Sequence, residues 1–305
     1  MSSLVQYHPR RFHKFQYIYP VVSRRAGGLS IGVNLSPNAQ CNFSCVYCQV
    51  LAENQDNSVR KDNSVRKDNS AQKDNSARKN DPATSIDLEL LGSELRELVG
   101  MVNDGSLFRD TWLSCTPLEK QVLRDIAFSG DGEPTLSLQF PDAVHWVTAV
   151  RRELCTESTK IVLITNGSTL HAAPLRNTLK TLLANNGEIW AKLDAGTPDY
   201  FRTIARSTIP YEKILANLTE FSKTNPLVIQ SCFVLLHGKE PDNEEIRHYT
   251  EHLKLMDQIQ RVQIYTVARR TPESWVLPLS NEQLNKISET VRELTGLQVD
   301  SFYST

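Results

Sequence analysis

Cys41-Asn42-Phe43-Ser44-Cys45-Val46-Tyr47-Cys48 places three thiols in one short stretch at the spacing C-x3-C-x2-C. Thiols this close, in a chain whose first residues lack the apolar core of an export signal, read as metal ligands rather than disulfide partners. A reducing compartment keeps neighbouring thiolates available for metals or catalysis. Zinc and iron–sulfur are the two candidates. A closed zinc site takes four ligands, usually as two Cys or His pairs. Here Cys115, Cys155 and Cys232 stand alone and the seven histidines are scattered, so no second metal built on histidine is expected. Three thiolates on a four-iron cluster leave one iron open, and an open position is where a substrate or cofactor is bound and activated. The spacing therefore points to catalysis more than to electron storage. Against it stands the plain reading of three structural cysteines that happen to cluster, which the polar Asn42, Ser44 and Gln49 disfavour.

Around this stretch, 305 residues with 40% hydrophobic content suffice for one large α/β domain or two ordinary ones. No run approaches the ~18 apolar residues that span a bilayer, so the expectation is a cytoplasmic protein without a membrane. The net charge of −1 conceals an asymmetry: residues 1 to 52 hold no Asp or Glu but carry Arg10, Arg11, Lys14, Arg24 and Arg25. Interleaved with Phe12, Phe15, Tyr17 and Tyr19, these bases suit contact with nucleobases and phosphates. The commoner outcome is that such aromatics pack on the domain.

From Asp56 to Lys79 a six-residue unit repeats, Asp-Asn-Ser-Val-Arg-Lys twice and then with Ala-Gln and Ala-Arg in place of Val-Arg. Each unit offers at most one Val or Ala, whereas solenoid repeats need about 20 residues or more to supply a hydrophobic face. The repeat reads as a disordered insertion at 56–79, with a basic tether for an anionic partner as its functional alternative. Outside it, short apolar runs alternate with helical patterns. Strands are expected at Leu29 to Leu35, Asp125 to Ser129, Ile161 to Thr165, Ile189 to Leu193, Val228 to Leu236 and Val262 to Val267. Between them, apolar residues recur at helical spacing, and a last helix starts near Asn281 as its N-cap. Six strands alternating with six helices imply a parallel α/β sheet curling toward an open barrel, with chemistry at the C-terminal strand ends. The expected division is 1–25 as a basic and aromatic extension, 26–270 as the core and 271–305 as a C-terminal helix and tail packed on it.

The C-x3-C-x2-C loop with an aromatic, Tyr47, before its last cysteine resembles the signature of the radical S-adenosylmethionine (SAM) enzymes. The strand and helix pattern from Arg24 to Thr266 is similar to the partial (βα)6 TIM-like barrel of that family. Asp131-Gly132-Glu133-Pro134 is similar to its Gly-Gly-Glu motif, departing from it at Asp131. The resemblance implies a 4Fe-4S cluster on Cys41, Cys45 and Cys48. It also implies SAM among Tyr47, Gly132, Glu133, Asn166, Lys192, Asp194, Gln230 and Tyr265. Glu133 suits the SAM ammonium, because a structural carboxylate in a glycine turn has little to pair with. Asn166-Gly167 is also an ordinary turn, and Lys192 with Asp194 an ordinary ion pair.

The activity so implied is reductive cleavage of SAM to a 5′-deoxyadenosyl radical for hydrogen abstraction, fed by a low-potential donor such as ferredoxin or flavodoxin. Val22 to Arg25, Cys45 to Gln49, Ser129 to Leu136, Lys192 to Gly196 and Gln263 to Thr266 together resemble a subgroup of iron–sulfur oxidoreductases. That subgroup is distantly related to the tRNA wyosine-forming enzymes. The substrate is open; an anionic one, RNA included, is motivated by the acid-free segment, and catalytic residues beyond the cofactor site are unassigned. The alternatives are a non-enzymatic iron–sulfur electron carrier and a zinc-stabilised binding protein.

Overall fold

The computed structural model describes residues 10–36, 39–50, 85–109 and 111–304; the repeat at 56–79 lies outside the described residues. The strands are β1 (Ile18–Ser23), β2 (Gly28–Val33), β3 (Leu123–Phe128), β4 (Lys160–Thr165), β5 (Gly187–Lys192), β6 (Leu227–Cys232), β7 (Val234–Leu236), β8 (Ile259–Tyr265), β9 (Val276–Pro278) and β10 (Val299–Phe302). One sheet runs in the order β1-β2-β3-β4-β5-β6-β8-β10, and β7 pairs separately with β9. All neighbours in the large sheet from β2 to β10 are parallel, and β1 is antiparallel to β2. The crossovers carry α1 (Leu88–Asn103), α2 (Ser106–Arg109), α3 (Phe140–Leu154), α4 (Arg176–Ala184), α5 (Pro198–Ala205), α6 (Tyr211–Ser222), α7 (Asn243–Lys254) and α8 (Asn281–Thr295). The result is a curled half-barrel with helices outside, the partial TIM-like barrel expected from the alternation of elements.

Side chains alternate across each strand, so one set faces the helices and the other the lumen. Ile126, Phe128, Ile161, Leu163, Ile189, Ile229, Val262 and Ile264 belong to the large core shared with the helices. Ala127, Val162, Trp190 and Val228 form a separate small apolar cluster, with Ile164 against it. The same parity places Glu188 and Lys192 with Trp190, Gln230 and Cys232 with Val228, and Arg261, Gln263 and Tyr265 on one face. Toward the N-terminal strand ends this lining is closed by charge. Glu188 accepts from Lys160, from Arg261 Nη2 at 2.6 Å and from Trp190 Nε1 at 2.7 Å. Burial alone pushes this carboxyl up, but the bonds from Arg261 and Lys160 outweigh it and hold it at about 2. Asp125 accepts from the Ser30 hydroxyl, and burial raises it to about 6.

Four features of the sheet and its flanking elements depart from the sequence reading, besides a helix described with the site below. β1 is an additional edge strand; Pro20 is tolerated there because an edge strand leaves one row of backbone groups unpaired. The apolar run from Val228 to Leu236 is two strands, because Phe233 N turns to Tyr265 O and Val234 then joins β9. α8 is capped by Ser280 rather than Asn281, in a capping box closed by Gln283. The tail supplies β10, a further parallel strand beside β8.

Candidate active site

The cysteine stretch leaves the half-barrel near the C-terminal end of β2 and is tied to α5, an element the sequence reading did not include. Ser44 N donates to Ala205 O and Val46 N to Ile204 O, both at 2.9 Å, so the loop uses the terminal carbonyls of that helix. Val46 is fully buried, and Phe43 meets Phe201 edge to face at 5.6 Å. The signal for α5 lay in Thr197-Pro198-Asp199, an N-cap followed by proline at the first helical position. On the other side, Gly132 abuts the loop's entrance. A Cβ there would lie 2.1 Å from Gln40 O, and Glu133 N donates to that same oxygen at 3.0 Å. Gly132 is thus needed for the approach of the loop. Asp131, where the motif departs from Gly-Gly-Glu, is held by Arg10 Nη1 at 3.0 Å and Asn34 Nδ2 at 2.8 Å.

Glu133 is 2% exposed and, contrary to the expectation that it has little to pair with, accepts from several donors. Oε1 takes Thr135 N at 3.2 Å, Thr135 Oγ1 at 2.6 Å and Thr165 Oγ1 at 2.8 Å; Oε2 takes Asn166 N at 2.7 Å. Every one of these donors is neutral. Burial raises the carboxyl above its ordinary value, and the hydrogen bonds offset part of that. Asn166 reaches the cysteine loop from here: its Nδ2 lies 2.7 Å from Asn42 Oδ1 and 4.0 Å from Cys41 Sγ.

The remaining candidates form a second group. Lys192 Nζ lies 2.9 Å from Asp194 Oδ1, donates to Tyr265 Oη and stands 5.1 Å above the Tyr47 ring. Tyr47 Oη donates to Asp194 Oδ2, and Cys232 N to Asp194 Oδ1 at 2.7 Å. Burial would lower Lys192, but Asp194 and Tyr265 overcome it and hold the ammonium above its ordinary value. Gln230 Oε1 accepts from Arg25 Nη1 at 3.2 Å, while its Nε2 donates to Gln263 Oε1 at 2.7 Å. The ordinary ion pair considered for Lys192 and Asp194 is therefore present, with both aromatic candidates bound into it.

All eleven sequence-selected residues line one cavity of about 330 Å³: Cys41, Cys45, Cys48, Tyr47, Gly132, Glu133, Asn166, Lys192, Asp194, Gln230 and Tyr265. The three thiols are in no disulfide. Burial pushes Cys41 up to about 11 and Cys45 further up, so as bare thiols they keep their protons at neutral pH; thiolates come with a bound metal. Among the described residues no three His, Cys, Asp or Glu side chains are arranged to hold a single metal ion. A 4Fe-4S cluster asks for a different donor set, one soft thiolate on each of three irons, and three thiols on one cavity wall supply it. His248 and His252, a pair on α7 that the sequence reading overlooked, are engaged elsewhere. His252 Nε2 lies 2.9 Å from Gly196 O, and His248 lies between Glu244 and Glu251.

No family model matches the chain. Among curated proteins it is similar to one named GTPase Obg from Brachyspira hyodysenteriae, 24% identical over 285 residues, which cover 92% of this chain but 34% of that protein. The chain thus spans about a third of that relative's length. It is also similar to a UPF0026 protein of Helicobacter pylori, 23% identical over 275 residues, 88% of this chain and 71% of that one. Among solved structures, a radical SAM methyltransferase from Sphaerobacter thermophilus superposes with a TM-score of 0.57 at 12% identity, covering 93% of this chain and 68% of the other. The fold is that of the radical SAM enzymes. The chain is also similar in fold to TYW1, whose structure with a lysine-pyruvate adduct bound gives a TM-score of 0.51 at 15% identity over 88% of this chain and 74% of that one. No helix among the described residues is long and apolar enough to cross a membrane.

Proposed function

We propose that the chain is a radical SAM enzyme, with Cys41, Cys45 and Cys48 holding a 4Fe-4S cluster beside a SAM site built on Glu133. When bound, that pair supplies a 5′-deoxyadenosyl radical, generated with one electron from a low-potential ferredoxin or flavodoxin, which takes a hydrogen atom from the substrate. The observation that carries this reading is the meeting of three thiols and a charge-uncompensated carboxylate on one cavity at the C-terminal ends of parallel strands. Among the described residues Glu133 Oε2 has one donor, Asn166 N, and retains acceptor capacity for a ligand ammonium. The neutral donors fix the carboxylate without cancelling its charge. Tyr47 and Tyr265, locked by Asp194 and Lys192, form a wall that positions an apolar or aromatic ligand face and excludes water.

The adduct seen in TYW1 is not transferred to this chain. Lys192, the one lysine lining the cavity among the described residues, is held charged by Asp194 and so lacks the neutral amine a Schiff base requires. Nor is the GTPase activity named in the Brachyspira relative. The sole Gly-Lys pair here, Gly238-Lys239, is followed by Glu240 rather than the Ser or Thr of a phosphate-binding loop.

Anaerobic reconstitution with iron and sulfide, then dithionite and SAM, tests the proposal by chromatography. 5′-Deoxyadenosine is expected from the wild type and not from Cys45→Ala. A reconstituted cluster without any 5′-deoxyadenosine favours the electron carrier instead, and zinc in place of iron favours the binding protein.

A further inference from the structure

We infer that Arg24 and Arg25 bind an anionic group of the substrate, a carboxylate or a phosphate, inside the half-barrel; the inference rests on the radical SAM reading above and names the chemistry its substrate carries. Both arginines belong to the turn between β1 and β2, and both line the cavity of the cysteines and Glu133. Arg25 is fixed in place. Its Nη1 donates to Gln230 Oε1 at 3.2 Å, Gln230 is braced by Gln263, and the guanidinium carbon lies 4.9 Å from the centre of the Tyr265 ring.

Arg24 is different. Its Nη1 is buried and has no hydrogen-bond partner among the described residues. Burial and then the like charge of Arg25 hold its pKa below the ordinary arginine value. The carboxylates that line the cavity are engaged with other groups: Asp194 with Lys192 and Tyr47, Glu133 with the neutral donors of Thr135, Thr165 and Asn166, and Asp125 with the Ser30 hydroxyl, although the charge of Arg25 acts on Asp125. Two guanidinium groups thus line one small space, and among the described residues neither is hydrogen-bonded to or ion-paired with a carboxylate. A buried donor without an acceptor is costly, and paired like charges are costlier, unless a ligand anion completes the set. The planar fork of arginine fits a carboxylate or phosphate in bidentate fashion.

A macromolecular polyanion is disfavoured by the segment that suggested it. Phe12, Tyr17 and Tyr19 are buried in the core, Arg10 is paired with Asp131, and Arg24 and Arg25 turn inward. SAM carries a carboxylate of its own, on the same carbon as its ammonium. A SAM molecule held through Glu133 beside β4 would carry that carboxylate on the β4 side of the cavity. Arg25 lies against β6, with β5 between them, a separation of about 10 Å at ordinary strand spacing.

The test uses the cluster-loaded protein, titrated calorimetrically with inorganic phosphate and with acetate at constant ionic strength, with and without saturating SAM. Saturable binding of at least one anion that persists with SAM bound is expected, weakened about tenfold or more in Arg24→Gln and unchanged in Arg152→Gln, an exposed arginine of α3. Iron content and a thermal melt report whether each variant folds. Should Arg24→Gln fail to fold, Arg24→Lys keeps the charge, loses the fork and is expected to bind the same anion several-fold more weakly. No saturable binding in the wild type, or equal binding by the Arg24 variant that folds, overturns the inference. Anion binding abolished by SAM, with weakened SAM affinity in Arg24→Gln, assigns the arginines to the SAM carboxylate and overturns it too. The radical SAM reading fails separately, if the wild type forms no 5′-deoxyadenosine, because the anion titration needs no turnover.

Discussion

Glu188 and Glu133 are two carboxylates of the same half-barrel, 8% and 2% exposed, and they are satisfied in opposite ways. Glu188, toward the N-terminal strand ends, is met by Lys160 and Arg261 and neutralised by them. Glu133, beyond the C-terminal strand ends, is met by two threonine hydroxyls and two backbone amides and keeps its charge. A buried charge without a counter-ion is tolerated where something else supplies the counter-charge. One end of the lumen is therefore closed by its own residues, and the other keeps a carboxylate that the proposed ligand would complete.

The largest effect that tests this contrast comes from removing a thiol at each end. Cys45→Ala should lose nearly all cluster absorbance and bound iron after reconstitution. Cys155→Ala, at the far end between α3 and β4, should lose none. Comparable losses would break the assignment of the metal to one end. Next in size is Glu188→Gln, which leaves Arg261 and Lys160 without a full partner. Breaking a buried pair from one side costs on the order of 3 kcal/mol, measurable by urea denaturation, while SAM affinity of the folded fraction should not move. The same change at the other end, Glu133→Gln, should do the reverse. SAM binding should weaken about tenfold or more, as loss of a charge-assisted bond of ~1.5–3 kcal/mol implies, with stability altered by less than ~1 kcal/mol. A Glu133→Gln protein that unfolds easily yet binds SAM normally would make Glu133 a second Glu188.

The open end was the more legible of the two in the sequence. Three thiols in eight residues declare themselves, and Glu133, Asn166, Lys192 and Asp194 follow strands whose apolar runs are plain, so their convergence on one cavity follows from the parallel order of the strands. What was not legible depends on partners far away in the chain. Glu188 precedes a buried Trp, and nothing local says that Arg261, from β8, will reach it across β6. The four donors to Glu133 come from Thr135, Thr165 and Asn166, of which two lie after a full crossover. Arg24 and Arg25 read as bases of an acid-free segment suited to nucleobases and phosphates. Only the antiparallel return of β1 onto β2 carries them to the lumen.

The smallest effect is in the pH dependence of stability, where the two carboxylates should act with opposite sign. Glu188 has a folded pKa of about 2, below its ordinary 4.5, so the unfolded chain takes up its proton first. Its contribution is present above pH 4.5 and is lost as pH falls toward 2. Glu133 has a folded pKa above 4.5, so the folded chain takes up its proton first. Its ionisation costs stability at neutral pH, and that cost is relieved as pH falls from above its raised pKa toward 4.5. Urea denaturation of the wild type and both glutamine variants across the acid range separates the two. The gap between wild type and Glu188→Gln should stay constant down to about pH 4.5 and shrink below it, whereas wild type should gain on Glu133→Gln above that value and not below. Parallel curves for the two variants would mean that the neutral donors around Glu133 hold its charge as firmly as the cations hold that of Glu188, and the distinction between a closed and an open end would then rest on the cysteines alone.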